Sequence, residues 1–172
     1  MTVTKKSAAT SQLETAILVW FNGGDPISIH ALATAASDCL HAMGKMAGKP
    51  SHIQTWLRSQ SKGFQKRTAY IQNFIKHGFK DLHGSFSYSP KHGEVLMMDA
   101  VDCYTRLYGG KTPVMRVYFL RFALENPNVI NLAKDRPSLL EGGTVDNLAK
   151  LNRREFLEVF VPAINRALPK KR

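Results

Sequence analysis

In the middle third of the chain, the run Gln72-Asn73-Phe74-Ile75-Lys76-His77 brings together residue types that can do chemistry. On a helix, residues three and four apart share a face, so Asn73, Lys76 and His77 project together while Phe74 and Ile75 turn toward a core. An imidazole can move a proton and an ammonium can steady a phosphate charge, so a polar trio at a helix end points to phosphate binding or phosphate chemistry. The plainer alternative is that Asn73 and His77 satisfy backbone carbonyls of the following loop.

The trio sits inside the most biased part of the sequence. Between Cys39 and Lys80 there is no Asp or Glu, yet Lys45, Lys49, Arg58, Lys62, Lys66, Arg67, Lys76 and Lys80 all fall there. Such a stretch repels itself unless it meets phosphates, whose counterions are released on neutralisation. Trp56, Phe64, Tyr70 and Phe79 interleave with the cations and are candidates to stack on unpaired bases. Against this stands a solvated basic face with core aromatics behind it. The formal net charge of +11 favours a polyanionic partner, RNA or another nucleic acid first and an acidic protein second.

Metal chemistry has weaker support. Asp38 with His41, and Asp99 with Asp102, have the i, i+3 spacing of helix-borne ligands, but a di-metal bundle needs more carboxylates than the first helix supplies, so no metal and no cofactor is expected. No phosphate-cradling glycine loop, dinucleotide fingerprint or nucleophile elbow is present.

The elements that must position these groups read as helices throughout. Ser11 with Glu14 looks like a capping box ahead of Leu13, Ile17 and Trp20, and Gly23-Gly24 ends that helix. Asp25-Pro26 opens a second, with Ile29, Ala33, Ala36, Leu40 and Met43 on its apolar face until Gly44, Gly48 and Pro50. Ser51 caps a short helix, and Phe64 to Gly78 reads as a third long one. Ser89-Pro90 and Thr112-Pro113 repeat the cap-plus-proline signal before two further helices. The second of these, Val114 to Leu124, is apolar around most of its circumference and belongs in the centre or in an interface, including one that docks a partner protein. Residues 126–150 read as a long ordered loop with at most short helical turns, and Asn152 with Glu155 caps a last helix that Pro162 should kink. The expected fold is all-α: an antiparallel bundle of about five to six helices in one domain spanning residues 1–172.

No apolar run is long enough to span a membrane, and the opening residues lack the apolar stretch of an export signal. Cys39 and Cys103 each fall in an apolar helical pattern, as free thiols do in a reducing compartment. A cytoplasmic protein is therefore expected.

The order of these elements over residues 11–108 resembles the HEPN superfamily of helical domains. The likeness rests on the Gly23-Gly24-Asp25 hairpin, the Ala-rich helix ending Ala35-Ala36-Ser37-Asp38-Cys39-Leu40, and the polar loop reaching Phe86-Ser87-Tyr88-Ser89-Pro90 before a helix. On this likeness residues 112–168 are a C-terminal extension. The resemblance implies a homodimer and a metal-independent ribonuclease motif in which Asn73 and His77 would be catalytic. Gln72, a neutral side chain, stands where the family carries arginine. The implied function is thus a catalytically silent RNA or polyanion binder, with an endoribonuclease using His77 as the alternative. The chain is also similar to short bacterial proteins of unassigned activity that share the Gly-Asp-Pro-x-Ser-Ile-His and Asn-Phe-x-Lys-His arrangements. That likeness singles out His30, either bonded to the preceding loop or acting beside His77.

Overall fold

The computed structural model describes residues 2–63, 66, 69, 70, 73, 74, 83–130 and 144–167. All regular structure among them is helical: α1 Lys5–Phe21, α2 Pro26–Met46, α3 His52–Ser59, α4 Lys91–Tyr108, α5 Pro113–Glu125, α6 Thr144–Lys150 and α7 Arg153–Ala167. The described residues between 62 and 74 are helical too, and those from 66 onward fall within the span, Phe64 to Gly78, expected of the third long helix. No helix among the described residues is long and apolar enough to cross a membrane.

Most starts follow the expected cap chemistry. Asp25 accepts from the Ser28 N–H at 2.7 Å, Ser51 from Gln54 at 2.9 Å and Thr112 from Met115 at 3.3 Å, each satisfying an N–H that the helix itself cannot. Asn152 and Glu155 form the expected reciprocal box. Two starts differ. α1 begins well before Ser11, with Thr4 and Ser7 as its capping box, because the small side chain of Ala9, fully buried, already packs into the core a turn ahead of the first large apolar residue. At α4 Pro90 takes the cap position without a side-chain bond, and Ser89 contributes its carbonyl to the His92 N–H instead of its hydroxyl.

Residues 144–150 form α6, a helix of about two turns within the stretch expected as loop with at most short helical turns; residues 131–143 lie outside the described residues. α7 runs through Pro162, whose missing N–H removes one backbone bond from the helix.

Gly23, at φ +66, makes the turn that lays α2 antiparallel on α1. α2 and α4 run parallel: Ser37 meets Asp99, Leu40 meets Cys103 and Met43 meets Tyr108 in the same order along both helices. α4 accordingly begins at the end of the bundle where α2 begins, with the Tyr88 hydroxyl just before it donating to the Pro26 carbonyl. Gly44 permits the closest approach, since a Cβ there would lie 2.9 Å from the Lys49 carbonyl and 3.2 Å from Cys103 Sγ.

The core is one cluster to which α1, α2, α4, α5 and α7 all contribute. Leu13, Ile17, Phe21, Leu40, Met97, Tyr118 and Phe156 are almost wholly buried, and each such side chain contributes about 1.5–3 kcal/mol. Val114, Met115, Val117, Tyr118 and Phe122 of α5 are buried in this core, so that side of the helix is used inside the chain and is not available to dock a partner. At the end where α4 starts, Glu94 accepts from Trp20 Nε1 at 3.1 Å and from Arg153 at 2.8 Å, tying α1, α4 and α7 together.

Candidate polyanion interface

The parallel α2–α4 pair has an electrostatic consequence. The C-terminal ends of both helices fall at one end of the bundle, and α1, antiparallel to α2, starts there. Cys39 Sγ lies 3.6 Å from the Lys5 carbonyl, and Lys6 Nζ stands 4.2 Å over the Tyr108 ring. Lys5, Lys6, Lys45, Lys49 and Arg106 are therefore gathered around a common end, and all are exposed. Helix C-termini carry partial negative charge, which offsets some of the repulsion among these cations. Arg58 is exposed in the last turn of α3, and Lys62 and Lys66 are exposed on the segment that follows it in the chain. Glu94 and Glu125 lie at the opposite end, already matched: Glu94 with Lys91 and Arg153, and Glu125 with Arg121 and Arg153.

At the basic end an imidazole is held between two charges. His52 Nδ1 lies 3.1 Å from both oxygens of Asp102, and Arg106 Nη1 lies 3.0 Å from His52 Nε2. A guanidinium can only donate, so Nε2 is the bare nitrogen and Nδ1 carries the hydrogen. Asp102 also accepts from the His52 backbone N–H at 2.7 Å, so one carboxylate both fixes the ring and anchors the first turn of α3 on α4. The ring is held yet open: the His52 side chain is 75% exposed and that of Asp102 22%.

One turn inward lies a closed version of the same chemistry. His41 Nε2 is 2.6 Å from Asp99 Oδ2, and Ser51 Oγ donates to the other Asp99 oxygen. Ser37 Oγ lies 3.4 Å from the same carboxylate. Although Ser, His and Asp are together, Ser37 is 1% exposed and Ser51 fully buried, so neither hydroxyl can meet a substrate. This network fastens α2, α3 and α4. No group of three or more metal-ligating side chains occurs among the described residues.

Of the expected site residues, Lys45 and Lys49 stand at the basic end, Arg58, Lys62 and Lys66 are exposed on α3 and the segment after it, and Asn73 is an exposed helical residue. Arg67, Lys76, His77 and Lys80 lie outside the described residues, and the grouping of Asn73 with Lys76 and His77 lies outside them too. His30 is elsewhere, 2% exposed near the start of α2, with its ring edge-on to Tyr88 at 5.6 Å, and so is no part of an exposed surface.

Of the interleaved aromatics, Trp56 is 53% and Tyr70 51% exposed. Tyr70 and Phe74 pack on Phe86, at 6.3 and 4.7 Å between ring centroids, and Phe86 meets Tyr88 at 6.0 Å. The aromatic row thus leads away from the basic end toward the start of α4. Between α1 and α4, a groove of about 490 Å³ is lined by Lys6, Ser7, Thr10, Glu14 and Tyr104, and its Ser7 and Thr10 hydroxyls already donate to backbone carbonyls of Thr4 and Lys6.

Nothing in the sequence pattern marks His52, Asp102 and Arg106 as a site. The Asp99/Asp102 spacing is visible there, but its histidine partners are supplied from α2 and α3, and His52 is fifty residues away from Asp102 along the chain. The chain matches no protein-family model, no curated protein and no solved structure.

Proposed function

We propose that this protein is a catalytically silent, HEPN-like helical bundle that binds RNA through its basic end and the flank running from α3. The supporting observation is the convergence of Lys5, Lys6, Lys45, Lys49 and Arg106 at one end, while Glu94 and Glu125 are neutralised at the other. An excess of cations concentrated in this way attracts a phosphate backbone and holds it by counterion release. Exposed Trp56 and Tyr70 along the flank favour a single strand with unstacked bases. The HEPN resemblance adds the expectation of a homodimer, and Gln72 in place of the motif arginine is why binding without cleavage is the preferred reading.

The test is electrophoretic mobility of labelled single-stranded RNA with micromolar protein over a salt series. A shift at low ionic strength that fades as salt rises is expected. No shift at the lowest salt rejects the reading.

A further inference from the structure

The His52–Asp102–Arg106 arrangement has a property that a plain basic patch lacks. In the free protein the lone pair of His52 Nε2 is occupied by a hydrogen from Arg106, 3.0 Å away. While that bond stands, the ring presents no donor at Nε2 and the guanidinium is partly engaged. Adding a proton to Nε2 changes both groups at once, because the nitrogen becomes a donor and can no longer accept from Arg106. Asp102, on the other side of the ring at 3.1 Å, holds its orientation throughout and balances the added charge.

We propose that His52 and Arg106 form a proton-linked phosphodiester site: the imidazolium Nε2–H and the freed guanidinium donate to the oxygens of one backbone phosphate, with Asp102 as the positioning residue. Binding takes up one proton from solvent, which ends on Nε2, and no covalent bond forms or breaks. This inference rests on the RNA-binding reading and names where, and in which protonation state, that surface grips its ligand.

The surroundings support the assignment. Among the described residues, the charged groups in hydrogen-bond contact with the ring are Asp102 and Arg106 of α4. Lys49, exposed in the turn from α2 that leads into α3, adds positive charge and favours an anion. The next titratable pair inward, His41 with Asp99, is closed on itself and does not reach the surface ring. Arg106 is exposed, and the imidazole is three-quarters exposed, so a phosphate can reach both without moving a helix.

The experiment is fluorescence anisotropy of a short single-stranded RNA with a 5′-hydroxyl end and a pH-insensitive dye. With these, no ligand group titrates between about pH 5 and pH 8, and ionic strength is held constant. Wild type should bind about tenfold more tightly at the acid end of that window. His52→Gln keeps the backbone N–H that Asp102 anchors, and should lose the pH dependence, binding with one affinity across the window. Arg106→Gln should lose most of the gain at acid pH, which also covers the case in which the His52 variant folds poorly. Salt-sensitive binding with the same pH slope in wild type and His52→Gln overturns this inference and leaves the RNA-binding reading standing. Wild-type binding at acid pH in Arg106→Gln overturns it as well. Absence of RNA binding at every pH overturns both.

Discussion

His41 Nε2 sits 2.6 Å from Asp99 Oδ2, an imidazole–carboxylate pair across the α2–α4 interface with the Asp99 side chain only 3% exposed. Ser51 at the start of α3 donates to the same carboxylate, so three elements depend on one buried acid. Removing one partner from such a network leaves buried polar groups uncompensated. Asp99→Ala is therefore expected to destabilise the chain by about 3 kcal/mol, read as a lower urea midpoint. A midpoint equal to wild type would show that the network does not fasten these helices.

The opposite end supplies an acid-sensitive contribution. Burial alone would raise the Glu125 carboxyl, but hydrogen bonds and charge from Arg153 and Arg121 outweigh it and leave the group below the ordinary range. A lowered carboxyl stabilises the fold above its unfolded-state value, about 4.3, and that contribution is lost as pH falls through the lowered native value. The melting temperature should therefore drop on acidification below that point, and less steeply in Glu125→Gln. Identical acid limbs would contradict the assignment.

Gly44 lies where α2 passes closest to α4 and to the chain leading into α3. Its missing Cβ would stand 2.9 Å from a backbone oxygen, which cannot move aside as a flexible side-chain tip can. Gly44→Ala should cost about 1–3 kcal/mol through forced shifts at this point. The check is the melting temperature against that of Ala42→Gly on an exposed face of the same helix, expected to be the milder change.

If RNA follows the basic end, the cations there should count individually in the salt dependence. Lys45→Ala combined with Lys49→Ala should make the slope of log affinity on log salt shallower, by about one for each phosphate that is no longer neutralised. Lys150→Ala, on α6, whose Leu148 carbonyl accepts from Arg121, should leave the slope unchanged. Equal effects would mean diffuse attraction by net charge in place of a defined surface.

The two thiols should differ in reactivity. Burial, with the nearby carboxylates of Asp99 and Asp102, pushes the Cys103 thiol up to about 11, and the side chain is fully buried. Cys39 is half-buried. Iodoacetamide at neutral pH should label Cys39 in the native protein and reach Cys103 only on unfolding, as followed by intact mass. Native labelling of both at similar rates would place Cys103 at the surface.

Sequence alone determined what is local. Helix starts at Asp25, Thr112 and Asn152 are legible because a cap needs only a polar side chain three residues before the N–H it serves. Where no large apolar residue marks the turn, as before Ala9 in α1, the helix leaves no sign in the apolar pattern, and in residues 144–150 Val145 and Leu148 are a single i, i+3 pair, too short to establish a period. The depletion of acids between Cys39 and Lys80 is equally plain, because composition needs no coordinates. Tertiary structure decided which charges share an end and which histidine meets which aspartate. Those pairings join residues fifty or more positions apart, and they depend on α2 and α4 running parallel. Helical periodicity fixes the face a residue occupies but not the direction of its neighbour, so the surface imidazole at His52 and the interior one at His30 are told apart only once the helices are packed.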